Sequence, residues 1–323
     1  MCRNLYVITG PTAVGKTELA LAWAEVNRAE IVSCDASLFY RGMDIGTAKP
    51  TAAERVRVRH WLVDICDVRE RMDVTKYVEL ARAACADIAG RGRKVLVTGG
   101  SGFYLKAFFG AVADEVAVVP ELRAEIGARL ARGATEAGGW GAEGLEDLLA
   151  ELRGLNPGGL GELDVANPRR VTRALERCRA SGKTLAELAA EFAARPGAFA
   201  EWDVRAVRLD REPAELRARV EARVAGMLRD GLVGEVRRLR GEGIEDNPSA
   251  ASAIGYRETL AALAAAEKDG REIGAEEEAR LGAEIALNTW GLVRKQRTWF
   301  RSQLPADRLR VVAAEGARVE GLF

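Results

Sequence analysis

One histidine, His60, stands in a chain of 323 residues, so a His-based triad or a zinc cage has almost no material to be built from. Five cysteines, Cys2, Cys34, Cys66, Cys85 and Cys178, are scattered without a C-x-x-C pair. An odd count without metal spacing reads as reduced thiols, and a cytoplasmic protein is expected. Excess charge is absent as well. The 48 Lys plus Arg balance 48 Asp plus Glu, which excludes a uniformly basic nucleic-acid coat and leaves a local basic patch possible. No apolar run approaches the roughly 18 to 20 residues that span a bilayer. The opening residues run straight into a strand pattern, so no signal peptide is expected. What is present, 48% hydrophobic and 30% charged residues, excludes a disordered or fibrous chain and suits one large or two smaller cored domains.

The first hundred residues alternate strand and helix. Residues 5–9, LYVIT, form an apolar run of the buried parallel-strand type that ends at Gly10-Pro11. Residues 17–26 have helical apolar spacing, 30–34 read as a second strand and 61–65 as a third. Over 76–89, Tyr77, Leu80, Ala81, Ala84 and Ile88 make one helical stripe, and 94–98, KVLVT, give the next strand. From about residue 120 the pattern changes to Ala, Glu and Arg at helical spacing, interrupted by glycines, with no convincing strand as far as 195. Residues 204–209 read as a strand returning to the sheet, followed by helices over 213–228, 234–241, 253–267 and 275–301. The expectation is an α/β fold of the P-loop NTPase-like kind, a parallel sheet flanked by helices, with a helical insertion. Its expected divisions are 1–120, 121–196 and 197–323.

Gly10, Pro11, Thr12, Ala13, Val14, Gly15, Lys16 and Thr17 match G-x-x-x-x-G-K-[ST], with a strand before and a helix after. Such a loop, of the nucleotide- and ATP-binding type, curls its backbone so that successive N–H groups form an anion nest at a helix N-terminus. Lys16 adds a positive charge on the phosphate chain, and the Thr17 hydroxyl is a candidate Mg²⁺ ligand. The bland alternative is a glycine turn that caps the first helix. The loop does not name a reaction, because kinases, NTPases and diphosphate-releasing transferases all need such a cradle. Asp35, just past the second strand, suits three roles: holding Mg²⁺ through water, acting as general base, or capping the next turn.

Residues 33–50, SCDASLFYRGMDIGTAKP, together with the GPTAVGKT loop resemble the tRNA dimethylallyltransferase family. The likeness recurs at 60–65 (HWLVDI), 99–105 (GGSGFYL), 170–176 (RVTRALE), 181–184 (SGKT), 255–258 (GYRE) and 295–301 (KQRTWFR). The resemblance implies transfer of a dimethylallyl group from dimethylallyl diphosphate to the exocyclic amine of the adenosine 3′ of the anticodon in tRNA, with release of diphosphate. It implies that Asp35 is the general base, and that Ser101 stands beside the diphosphate in place of a usual Thr. The loop, with Mg²⁺ and Arg223, would then hold the diphosphate rather than a nucleoside triphosphate. Segments implied to contact tRNA are Asp35, Ala36, Ser37 and Leu38, with Ser101 and Arg123, then Arg169, Arg170, Val171, Thr172 and Arg173. They continue with Ser252, Ala253, Ile254, Gly255, Tyr256 and Arg257, and end with Arg294, Lys295, Gln296, Arg297, Thr298, Trp299, Phe300 and Arg301. The chain departs from the family pattern at Ala36, where Ser is usual, and at Ser252, where some members have Arg. It departs again at Trp290, where an Arg usually precedes the terminal motif, and in the order Arg294-Lys295-Gln296.

Physical chemistry runs beside this. A diphosphate leaving with growing negative charge is stabilised most by cations and loop amides, and an allylic carbon with positive character needs a water-poor pocket. A base in a folded RNA must be taken out of its stack, with the rest gripped through phosphate and shape. The basic runs at 169–179 and 294–301 suit that grip, although charge runs are usually solvated faces. Trp299 and Phe300 fit a core or a stacking role equally. His60 and Cys34 read as packing residues. The alternatives are an adenine-nucleotide prenyltransferase, a P-loop small-molecule kinase with a helical lid, and a non-catalytic nucleotide-binding switch. No dimerising stripe stands out, so a monomer is expected.

Overall fold

The computed structural model describes residues 3–112, 116–133 and 141–323. The chain forms two compact units, one of Met1–Val112 with Gly197–Phe323 and one of Ala113–Pro196. The larger unit is built on six strands, β1 (Arg3–Thr9), β2 (Ala29–Ser33), β3 (His60–Trp61), β4 (Lys94–Gly99), β5 (Trp202–Asp210) and β6 (Leu309–Ala313). They lie in the order β3-β2-β4-β1-β5-β6, and every neighbouring pair is parallel. β1 sits between β4 and β5, with Leu5 opposite Val95 on one side and Val204 on the other.

The continuous apolar run of β1 has its cause here, because side chains alternate between two covered faces. Leu5 and Val7 join one core with Val32, Val95 and Val97; Tyr6 and Ile8 join another with Ile31 and Leu96. Thirteen α-helices accompany the strands among the described residues. In chain order they are α1 (Lys16–Asn27), α2 (Ala52–Arg57), α3 (Val74–Gly90), α4 (Gly102–Lys106), α5 (Pro120–Leu130), α6 (Ala142–Leu155) and α7 (Pro168–Ser181). The series continues with α8 (Leu185–Ala193), α9 (Pro213–Arg229), α10 (Leu232–Gly241), α11 (Pro248–Ala251), α12 (Tyr256–Lys268) and α13 (Ala275–Gln303). α1 covers the second face with Ala20, Leu21, Trp23 and Ala24, while α3 covers the first with Tyr77, Ala81, Ala84, Cys85 and Ile88. α9 and α13 serve both faces: Leu216, Val220 and Val293 pack on the second, Val224, Ile285 and Phe300 on the first.

Two sequence expectations change. The strand read over 61–65 stops at Trp61, because Leu62 and Asp64 take left-handed φ values of 61° and 58°. The turn carries the Asp64 carboxylate to Lys49 at 2.5 Å and Arg55 at 2.6 Å. The helix read over 253–267 starts only at Tyr256, after Gly255 with φ 95°, and the short α11, which ends at Ala251, is separate from it. The buried Glu258 carboxylate accepts the Gly255 N–H at 2.7 Å and caps the new start. β6, α2, α4 and α11 had no counterpart in the sequence reading.

The smaller unit contains α5 to α8 around Ile126, Leu130, Leu148, Leu152, Val171 and Leu175, with no strand among its described residues. Asn167 caps α7 by accepting from Arg170 N–H, and Thr184 with Glu187 forms a reciprocal capping box on α8.

Candidate functional site

The chain leaves β1 at Thr9 and turns through the phosphate-type loop into α1. Ala13 adopts a left-handed φ of 65° and Gly15 one of 105°, the alternation that turns successive N–H groups to one side. Val14 N–H closes on Pro11 O at 3.3 Å. Among the described residues no side chain caps α1, so its first-turn N–H groups face the adjoining cleft, where a helix N-terminus favours an anion. Lys16 Nζ donates to Gly10 O and Pro11 O, both at 2.9 Å. Burial of the ammonium pulls its pKa down from 10.5 to about 8, against the raising influence of the Asp35 carboxylate; Arg223 adds to the lowering.

Asp35 arrives from the neighbouring strand. β2 pairs with β4, and just beyond the end of β2 Cys34 N–H still donates to Thr98 O at 2.7 Å. At Gly99 the two backbones come so close that a Cβ would lie 2.0 Å from Cys34 O, leaving glycine the fitting residue. Ser101 Oγ accepts Ala36 N–H at 2.9 Å. Asp35 Oδ1 accepts the Ser37 hydroxyl at 2.7 Å and Ser37 N–H at 3.1 Å, an Asx turn that fixes the carboxylate. Arg223, on α9, donates to Thr47 O at 2.9 Å. Its burial lowers its pKa, and the Asp35 carboxylate opposes the shift.

These groups line a cleft of two cavities. One, of about 580 Å³, is bounded by Gly15, Lys16, Thr17, Ser33 and Arg219; the other, of about 560 Å³, by Ser101, Tyr104, Met227, Gln296 and Trp299. Thr12, Asp35, Thr47 and Arg223 line both. Asp35 therefore stands where the phosphate-loop cavity meets a second chamber with an apolar wall. Such a site can hold an anion at one end and deliver a carboxylate to a group entering from the other.

The sequence-selected residues divide on this frame. Gly15, Lys16, Thr17, Asp35, Ala36, Ser37, Leu38, Ser101, Arg223, Ala253, Ile254, Tyr256, Lys295, Gln296 and Trp299 all line the cleft. Ser252, Arg257, Arg294, Thr298 and Arg301 are exposed, and Arg297 reaches back to Asp210 at 3.3 Å. In the smaller unit Arg123, Arg169, Arg170 and Arg173 are exposed. Three side chains from implied RNA-contacting segments need correction. Val171 belongs to the core of the smaller unit and Phe300 to that of the larger. Tyr256 is buried, with its hydroxyl donated to Glu235 at 2.6 Å. Val171 and Phe300 support their helices and present no surface, while Tyr256 borders the cleft with its hydroxyl already engaged. Gln296 also has a partner that its motif did not reveal, since both arms of its carboxamide bond to backbone in the cleft. Cys34 is buried and its thiol is pushed up to about 12 by burial, which removes it as a nucleophile. His60 donates from Nδ1 to Val58 O at 2.8 Å, and burial lowers its pKa.

A model of the IPP transferase family matches residues 38–303. The chain belongs to that family. A tRNA dimethylallyltransferase of Opitutus terrae is 58% identical over 320 residues, spanning 99% of this chain and 96% of that protein. Another, from Deinococcus radiodurans, is 41% identical over 312 residues, 96% and 93% of the two chains. Among solved structures, the tRNA isopentenylpyrophosphate transferase of Bacillus halodurans matches with a TM-score of 0.64 at 29% identity, covering 97% of this chain and 90% of that one. A eukaryotic dimethylallyltransferase acting on tRNA shares the fold at a TM-score of 0.79 and 22% identity, with 97% and 74% covered. The family match starts at residue 38, so the loop and Asp35 lie before it. The Opitutus relative spans them.

Two further residues of this family member were invisible in the sequence patterns. Glu235 is nearly buried and accepts the N–H groups of Asp44, Ile45 and Gly46 at 2.8–3.2 Å, which fixes the loop that carries Thr47. Arg219 donates to Ala13 O at 2.8 Å and braces the outside of the phosphate loop. Neither has a local sequence signal, because each acts on a segment far away in the chain.

Proposed function

We propose that the protein transfers a dimethylallyl group from dimethylallyl diphosphate to tRNA, at the exocyclic amine of the adenosine 3′ of the anticodon. The observation that carries the reading is the position of Asp35 on both cavities of a cleft in a member of the IPP transferase family. The diphosphate occupies the end lined by Lys16, Thr17 and the α1 N-terminus, and Arg223 lies beside it. The adenine enters the chamber beyond Asp35. As the amine nitrogen forms its bond to the allylic carbon, the carbon–oxygen bond breaks and diphosphate leaves with the electron pair. The amine becomes acidic as that bond forms, and its proton passes to Asp35, whose Oδ1 is held by Ser37. Lys16, the loop amides and Arg223 stabilise the leaving charge. The apolar wall of Met43, Met72, Val224 and Met227 keeps water from the allylic carbon.

The donor set suits Mg²⁺. The Thr17 hydroxyl and the Asp35 carboxylate line one cavity with the buried Ser33 hydroxyl, which has no hydrogen-bond partner among the described residues. Among the described residues no group of three His, Cys, Asp or Glu side chains could cage a metal by itself. Oxygen donors few in number suit an ion that shares its coordination with substrate phosphates. Bound there by Thr17, Mg²⁺ would neutralise part of the diphosphate charge.

RNA is gripped by the exposed cations Arg294, Lys295 and Arg301 and by Arg123, Arg169, Arg170 and Arg173. Among the described residues no helix is long and apolar enough to cross a membrane, and the reading includes a cytoplasmic monomer. The test is incubation with Mg²⁺, radiolabelled dimethylallyl diphosphate and unmodified bulk tRNA, beside an Asp35→Ala variant and an AMP-only control. Label in tRNA that is lost with Asp35→Ala is the expected result. Label only in AMP, or phosphate transfer from ATP without prenyl transfer, overturns it.

A further inference from the structure

We propose that Gln296 is a positioning residue for the phosphate loop, acting through a bridge that its carboxamide makes between that loop and the end of β4. Oε1 accepts Thr12 N–H at 2.9 Å, and Nε2 donates to Gly100 O at 3.0 Å. Only one orientation of the carboxamide satisfies both partners, since a flip would set donor against donor and acceptor against acceptor. Gly100 makes room for the approach: a Cβ there would lie 2.8 Å from Nε2.

The loop gains a defined shape from the bridge. Thr12 immediately precedes Ala13, whose left-handed φ of 65° begins the nest. With Thr12 N–H held by Gln296 and Val14 N–H held by Pro11 O, the amides of Ala13, Gly15, Lys16 and Thr17 are the ones left for an anion. The other end of the bridge, Gly100, adjoins Ser101, whose hydroxyl holds Ala36 beside Asp35. One side chain of α13 thus sets both the anion cradle and the peptide leading to the carboxylate. Its neighbour Arg297 is anchored on Asp210 at the end of β5, which keeps that turn of the helix in place. The inference deepens the functional reading above, because it takes the loop to be a diphosphate cradle.

The test is the affinity of inorganic diphosphate with Mg²⁺ for the full chain by calorimetry, beside KM and kcat for dimethylallyl diphosphate and tRNA. Gln296→Met fills a similar volume without either hydrogen bond. It is expected to weaken diphosphate binding about tenfold, the size of one or two lost hydrogen bonds. KM for dimethylallyl diphosphate should rise in step, with KM for tRNA and kcat moved less. Gln296→Glu keeps an acceptor for Thr12 but turns a carboxylate on Gly100 O, and is expected to lose at least as much. Thermal melting identifies variants that do not fold. Should Gln296→Met fail there, Gly100→Ala breaks the same bridge from its other side and is expected to show the same loss. A folded variant that binds diphosphate like the wild type overturns the inference, as does an equal fall in every kinetic constant. Absence of diphosphate binding by the wild type overturns the cradle itself, and the bridge with it.

Discussion

In the smaller unit Arg129 sits among three carboxylates, Glu151 at 2.5 Å, Asp147 at 2.9 Å and Glu125 at 3.8 Å. Arg179 shares two of them, and Arg123 and Arg173 both reach the buried Glu176. In the cleft of the larger unit the cations are treated differently. Lys16 and Arg223 donate to backbone carbonyls, and neither makes an ion pair among the described residues. A carbonyl holds a cation in place without cancelling its charge. The same residue types therefore knit helices together in one unit and wait for an anion in the other. A chain of zero net charge can offer an anion site because the cancellation is local, not uniform.

The comparison can be broken most severely at Asp35. Asp35→Ala should lower transfer to tRNA by about 10²–10⁴-fold in single-turnover assays, while calorimetry finds diphosphate binding retained. Lys16→Met comes next, with diphosphate affinity expected to fall about 100-fold, or nearly 3 kcal/mol. Its pH dependence carries a sign. The free protein loses the Lys16 proton near pH 8, whereas bound diphosphate favours the ammonium, so binding takes up protons. Wild-type affinity should weaken as pH rises through 8, and the difference between wild type and Lys16→Met should shrink. A constant difference from pH 7 to pH 9.5 would refute that account.

Smaller effects sharpen the contrast among the exposed cations. Arg294 and Lys295 make no ion pair among the described residues. Removing each is expected to weaken tRNA binding and to reduce the slope of log affinity against log salt by about 0.7–0.9 in filter-binding titrations. Arg173→Ala should change that slope less, because Glu176 already shares its charge. Arg129→Ala should leave diphosphate affinity unchanged and lower the melting midpoint modestly. A loss of diphosphate binding there would show that structural and available cations are not separate classes.

Much of this was legible beforehand where physical causes are local. The run before Gly10 is a strand because both faces are covered, and the G-x-x-x-x-G-K-T pattern carries its own geometry. Elements whose cause is remote were lost. β6 lies on the sheet edge with Arg310 and Val311 exposed, so neither apolar continuity nor clean alternation marks it. The turn at Leu62 and Asp64 is fixed by partners at 49 and 55, which strand propensity does not register. Phe300 and Trp299 are adjacent in the motif, yet helical geometry places one in the core and one on the cleft. The bridge through Gln296 joins residues 284 positions apart, a separation across which local pattern is silent.

That separation has a consequence for how the chain is made. At about 5–20 residues per second on a ribosome, the acceptor for Thr12 is synthesised tens of seconds after Thr12 itself. β5, which closes one side of β1, also arrives late, after the whole helical unit has been translated. Until then a central strand has an open edge, the kind of surface that invites wrong pairing. The helical unit, whose buried core is drawn from residues 126–188, can close early. The phosphate loop therefore waits on α13 for its last hydrogen bond, although the loop itself is translated long before that helix.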